Sequence, residues 1–180
     1  MRGNHQLIKR VSLVFIIVAV VVTAVLVCAN HNWSPLKAGL KADHILVEKG
    51  ARRLTLFNGV VPLKSYTIVL GRSPIGHKLE ENDNRTPEGI YFVDGRNPDS
   101  TCHLALHVSY PQPSDKVAAK KRGVSPGGDI MVHGIQNGYG WLGALHRSCD
   151  WTAGCMAVTD FEIDEIWRTV PNGTKIEIRP

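Results

Sequence analysis

The stretch from Val11 to Cys28 contains no charged residue and only two hydroxyl side chains, Ser12 and Thr23. With the Leu7-Ile8 pair before it and Ala29 after it, the stretch suits a bilayer crossing of about 20 residues. The shorter core of a secretory signal fits less well. Arg2, Lys9 and Arg10 precede it, which places the basic end in the cytoplasm and exports whatever follows. Val27-x-Ala29 would also serve as a cleavage site, so a retained anchor and a removed signal peptide both stay open. Val27 is too large for lipid attachment at Cys28. The organisation expected is therefore a signal anchor or signal peptide over 1–29, a stalk over 30–43 and one domain over 44–180.

Charge supports that division. The first 43 residues hold five of the 21 Lys and Arg and one of the 16 Asp and Glu. Four of the five net positive charges thus belong to the segment that precedes the domain. The domain itself is almost neutral, which argues against a nucleic-acid partner needing a basic footprint. Three cysteines, Cys102, Cys149 and Cys155, lie in the exported part. An oxidising compartment permits a Cys102–Cys149 disulfide that leaves Cys155 free. The other reading has Cys102 buried in a strand and Cys149 as a loop thiol.

Short apolar runs separated by turn signals fill the domain. Strands are expected at Ile45–Val47, Arg53–Phe57, Lys64–Val69, Ile90–Val93, His103–Val108, Ile130–His133, Met156–Val158 and Lys175–Ile178. Asn58-Gly59 marks a hairpin turn. Pro62 confines the strand after it to an edge or a bulge. Gly71 to Glu88 reads as a long loop, and Asn137 to Cys149 as a glycine-rich loop. One short helix is expected over Ser114–Arg122, capped by Ser114. A second starts at the capping box Thr159-x-x-Glu162, with Ile163, Ile166, Trp167 and Val170 on one face. The fold class is mostly β, a sandwich or barrel-like domain with one or two short helices.

Two features in this pattern carry chemistry. His133-Gly134 ends the apolar run Asp129–Val132, and Gly154-Cys155 opens another 22 residues later. A thiol becomes a strong nucleophile when a neighbouring imidazole takes its proton. A glycine before the cysteine allows a tight turn whose amide N–H groups can face a developing oxyanion.

These segments, taken in order, resemble the L,D-transpeptidase (YkuD-like) catalytic domain family over about residues 44–180. The resemblance rests on Val69-Leu70-Gly71-x-x-Pro74-x-Gly76-x-Lys78, on Arg85-Thr86-Pro87-Glu88-Gly89-x-Tyr91, and on Gly127-Gly128-Asp129-Ile130-x-Val132-His133-Gly134. Asp150-Trp151-Thr152-Ala153-Gly154-Cys155 completes it. It implies a β-sandwich-like domain that remodels peptidoglycan outside the cytoplasmic membrane, with stem peptides as partners and no cofactor. It also implies Cys155 as nucleophile, His133 as the proton-transferring base, Gly134 as the residue whose carbonyl orients the imidazole, and Gly154 in the oxyanion turn. The acceptor of the thioester would be an amine or, as a carboxypeptidase or amidase, water. A peptidoglycan-binding domain without catalysis is the remaining reading. Many members carry Ser-His-Gly-Cys, followed two residues later by Arg or Asn. This chain has Thr152-Ala153-Gly154-Cys155 and Ala157 there, which leaves donor and acceptor open.

Other residues offer substrate contacts. Lys78, Arg85 and Arg147 could hold stem-peptide carboxylates or be solvated loop charges. Thr152 sits in the nucleophile motif itself. Trp141, and similarly Tyr139, could wall the cleft or simply pack. His103 and His107 are spaced to share a strand face, and with His77, His146 or Cys149 could be imagined around zinc. No compact ligand motif supports that, so no metal is expected. Oligomeric state is not legible.

Overall fold

The computed structural model describes residues 2–180, with side chains from Arg10 onward. Arg2 and Lys9 of the basic N-terminal group thus lie outside the residues whose side chains are described. Helix α1 spans Arg2–Ala29, and Arg10–Ala29 is long and apolar enough to cross a membrane. The eight strands are β1 (His44–Glu48), β2 (Arg53–Asn58), β3 (Val61–Thr67), β4 (Gly89–Ser100), β5 (His103–Val108), β6 (Met131–His133), β7 (Met156–Ala157) and β8 (Lys175–Arg179). Helix α2 (Pro113–Arg122) follows β5, a 3₁₀ segment (Gly140–Ser148) follows β6, and helix α3 (Asp160–Thr169) follows β7.

The strands form one mixed sheet in the order β3-β2-β1-β8-β4-β5-β6-β7, curled into a half-barrel. The C-terminal strand β8 lies at its centre, parallel to β1 and antiparallel to β4. Strand β4 bends the sheet. Gly89–Phe92 pair with β8, the strand shifts register twice, and its remainder pairs with β5. Beyond the edge strand β3 the chain reaches across to the opposite edge, where Val69 bridges Ala157 and Gly71 bridges Thr152. The two ends of the sheet therefore meet at the Cys155 segment.

Local chemistry explains the elements. The β2–β3 hairpin turns at Gly59, whose φ of 57° favours glycine. Pro62 sits on the edge strand, beside the register shift at Leu56/Phe57, where the missing N–H does no harm. Glu162 caps α3 where expected, its carboxylate accepting the Thr159 N–H at 3.0 Å, whereas Thr159 Oγ1 makes no hydrogen bond among the described residues. The inner face of α3 buries Ile163, Ile166 and Val170 in the core with Ile45, Leu56, Val108 and Ile176, worth about 1.5–3 kcal/mol for each such side chain. Helix α2 begins at Pro113, one residue before the expected start, and its cap is Gln112, not Ser114. Proline at the first helical position donates no N–H and already has a helical φ.

Residues 30–43, expected to form a stalk, are folded onto the domain. Leu36 and Ala42 join the core. The buried Glu165 carboxylate receives Asn32 Nδ2, the Leu36 N–H, Lys64 Nζ and Tyr66 Oη. Burial opposes its ionisation, yet Lys64 and these donors outweigh that and hold the carboxyl below its ordinary value. The end of α1 reaches the 3₁₀ segment directly. Asn30 Nδ2 donates to the Trp141 carbonyl at 2.7 Å, and a Cβ at Gly143 would collide with the Ala29 carbonyl. Gly143 also has a φ of 48°, so the seat requires glycine twice over.

Candidate active site

Strands β6 and β7 run parallel, with Val132 opposite Met156 and His133 opposite Ala157. Cys155 is two residues before Ala157, so in the strand pleat it shares the face of His133 on the neighbouring strand.

The imidazole is oriented by its own chain. His133 Nδ1–H donates to the Gly134 carbonyl at 2.7 Å. That bond assigns the proton to Nδ1 and leaves Nε2 with the lone pair of a base. Burial lowers the basicity of His133 and the Gly134 bond only partly restores it, so the ring is neutral at pH 7. It meets the Trp151 indole edge to face at 5.8 Å.

The thiol is protonated. Burial pushes Cys155 up to about 11, against a smaller opposing pull from the Met131 backbone N–H. Sγ donates to the Asp129 carbonyl at 3.4 Å, so in this state the sulfur lies against the Asp129–Met131 backbone. The resting pair is a neutral acid beside a neutral base, not a preformed ion pair.

The turn that presents Cys155 is braced from inside. Thr152 Oγ1–H donates to the Cys155 carbonyl at 2.7 Å and accepts the Gly154 N–H at 3.1 Å. The Gly154 amide is therefore engaged, and the Cys155 N–H, which makes no hydrogen bond among the described residues, is the donor left for an oxyanion. Gly154 has a φ of 133°, and a Cβ there would lie 2.7 Å from the Arg85 carbonyl. Asp150 anchors the start of the turn, accepting Arg52 Nε and Nη2 and the Leu70 N–H.

The structure thus brings together Cys155, His133, Gly134, Gly154 and Thr152, and spends the other candidates elsewhere. Lys78 is buried, with Nζ 2.8 Å from Asp83 and 3.1 Å from the Glu80 carbonyl. Arg147 pairs with Glu162, the capping residue of α3. Arg85 faces Gly154 with its carbonyl, while the residue lines a shallow cleft with Asp83 and Arg122. Trp141 is exposed and its carbonyl is tied to Asn30. Tyr139, not Trp141, lines a cavity of about 320 Å³ with Ile135, Leu142, Leu145, His146 and Trp151. That cavity adjoins the site through Trp151. All four cysteines are free, which leaves Cys102 and Cys149 unpaired. His103 and His107 pair separately with Asp164 and Asp94, and no cluster of three potential metal ligands occurs among the described residues.

The brace by Thr152 and the Trp151–His146 contact were not foreseeable from spacing. Their one visible signal was position, next to the nucleophile motif.

The profile of the YkuD family, the L,D-transpeptidase catalytic domain, matches residues 42–178. The chain belongs to that family. Among curated proteins it is 29% identical to Escherichia coli (strain K12) YafK, named an L,D-transpeptidase, over 60% of this chain and 37% of that protein. The chain thus spans well under half the length of this relative. Bd1075 of Bdellovibrio bacteriovorus is 25% identical in sequence, with a TM-score of 0.52 over 79% of this chain and 49% of that one. The helical cell shape determining protein Pgp2 of Campylobacter jejuni shares the fold at 20% identity, with a TM-score of 0.61 over 87% and 54% of the two chains. The YkuD domain therefore makes up nearly everything here that follows α1.

Proposed function

We propose that this protein is a cysteine L,D-transpeptidase of the bacterial envelope, held at the cytoplasmic membrane by α1. What supports this reading is that Cys155 immediately precedes β7, the parallel neighbour of the strand that ends in His133, and that the Gly134 bond to Nδ1 leaves Nε2 of the imidazole as the base. The donor is a peptidoglycan tetrapeptide stem, attacked at the carbonyl of its third residue, a diamino acid.

Because the resting thiol is protonated and the imidazole neutral, proton transfer accompanies attack. His133 Nε2 takes the Sγ proton as the C–S bond forms. The Cys155 N–H, which has no other partner among the described residues, stabilises the tetrahedral oxyanion in this reading. Collapse breaks the C–N bond, and the imidazolium returns its proton to the departing D-alanine amine. An acceptor amine then attacks the thioester and loses its proton to His133. The C–S bond breaks and the thiolate is reprotonated.

Incubation with defined muropeptides tests this reading. Cross-linked dimers together with free D-alanine are expected, and neither product in Cys155→Ala. Trimmed monomers alone would replace transfer by hydrolysis of the same thioester. No product and no acyl adduct, with an accessible Cys155, would reduce the domain to a peptidoglycan binder.

A further inference from the structure

Helix α1 ends against a face of the domain that is aromatic, uncharged and open. The 20-residue stretch Arg10–Ala29 rises about 30 Å at 1.5 Å per residue, which matches the hydrocarbon thickness of a bilayer. Ala29 therefore marks the outer edge of the hydrocarbon when α1 spans a membrane, and the headgroup layer fills about 5–7 Å beyond it. The 3₁₀ segment is fixed at that level. Asn30 Nδ2 donates to the Trp141 carbonyl at 2.7 Å, and Gly143 lies so close to the Ala29 carbonyl that no Cβ would fit between them. Backbone held this near the helix end shares its depth, whatever the tilt of α1.

The side chains carried by this backbone suit that depth. Trp141 is 58% exposed, Tyr139 52% and Leu145 42%, and Trp33, four residues beyond Ala29, is 72% exposed. The other two tryptophans, Trp151 and Trp167, are half-buried. Single exposed apolar residues need no explanation, but a group gathered around one point does. Ile135–His146 contains no Asp, Glu, Lys or Arg, and burial keeps its one histidine, His146, neutral. Arg147, the next residue, is paired with Glu162. Drawing this face out of water would therefore strand no charge. Trp and Tyr favour the boundary between lipid and water, where the ring is covered and the N–H or O–H stays wet. Whatever covers the face must lie beside the point where α1 emerges, and with α1 inserted that neighbour is lipid.

We infer that Trp33, Tyr139, Trp141 and Leu145 form a second membrane contact, by which the domain itself seats in the headgroup layer of the outer leaflet around the end of α1. The partner is the lipid surface as such, recognised by its gradient from apolar to polar and not by headgroup charge, since none of these four side chains is charged. The inference rests on the anchoring that the proposed function gives to α1, and not on the transfer chemistry.

The test uses the full chain reconstituted into phosphatidylcholine vesicles, with and without bromine on the acyl carbons nearest the headgroup. Tryptophan emission is compared in the parent and in the double variant Trp33→Phe/Trp141→Phe. Both positions are exposed and keep an aromatic ring, so the variant should melt as the parent does. Bromine should quench the parent, and the double variant should lose most of that quenching, because Trp151 and Trp167 are held back in the domain. Both proteins should resist extraction by alkaline carbonate, since α1 is untouched. Equal quenching in the two proteins, or none in either, with the chain still resisting extraction, overturns the inference and leaves the anchor standing. Shielding of Trp33 and Trp141 from aqueous iodide without bromine quenching would put a second copy of the chain on this face and would also overturn it. Extraction of the parent by carbonate refutes the anchor of the proposed function, and the inference falls with it, while muropeptide cross-linking decides the chemistry separately.

Discussion

Replacing Thr152 by valine decides between two roles for this residue. Its position in the nucleophile motif suggested a substrate contact, whereas in the structure its hydroxyl braces the turn, donating to the Cys155 carbonyl and accepting the Gly154 N–H. Valine keeps the shape and removes both bonds. Each bond contributes about 1 kcal/mol net, and a buried polar group left unpaired costs about 1–3 kcal/mol. The residue is only 4% exposed, so water replaces the hydroxyl poorly, and the loss should total about 3 kcal/mol. At roughly 3–4 °C per kcal/mol for a domain of this size, thermal unfolding followed by circular dichroism should shift down by about 10 °C. The same variant should lose about 100-fold in kcat through misplacement of Sγ, with KM nearly unchanged. Thr152→Ser, which retains both bonds, should recover most of each loss. A Thr152→Val protein that melts like the parent but binds donor peptide poorly would refute the brace and restore the substrate contact.

Three further outcomes follow from the same structure. Because burial pushes the Cys155 thiol up to about 11, its alkylation by iodoacetamide should accelerate about tenfold per pH unit from pH 7 to 10; a plateau below pH 8, read by mass spectrometry, would contradict the neutral resting pair. Glu165 has a carboxyl held below its ordinary value, so its stabilising contribution is present above its unfolded value and is lost as pH falls through the lower folded one. Glu165→Gln should cost about 3 kcal/mol at pH 7 by leaving Lys64 without its partner, and should flatten the acid limb of a melting-temperature profile; an unaltered limb would assign acid sensitivity to other groups. Gly143→Ala should lower the melting temperature by several degrees, since the added Cβ meets the Ala29 carbonyl at a positive φ; an unchanged melting temperature would mean that α1 does not need that seat.

Most strands were legible because alternating apolar residues and turn signals are local properties. The Thr159–Glu162 cap and the α3 face were equally plain. Cys155 and His133 stood out as candidates because each sits beside a glycine, His133 at the end of one apolar run and Cys155 at the start of another. What the chain hid was non-local. Nothing local places β8 between β1 and β4, or brings Val69 and Gly71 across to Ala157 and Thr152. Lys78 and Arg147 looked like free cations because their partners, Asp83 and Glu162, are revealed only once the loop folds back and α3 docks. The 30–43 segment looked like a tether for a similar reason, since the carboxylate that gathers it, Glu165, lies far along the chain.

That gathering has a mechanical consequence. Fully extended, residues 30–43 would reach about 45 Å. Folded onto Glu165, Lys64 and the core, they provide almost no leash. With α1 in a bilayer, the Gly140–Ser148 segment sits where the helix leaves the lipid. On the proposed function, the cleft around Cys155 would then ride on the membrane rather than swing through the wall, and would service only those strands of peptidoglycan that come down to meet it.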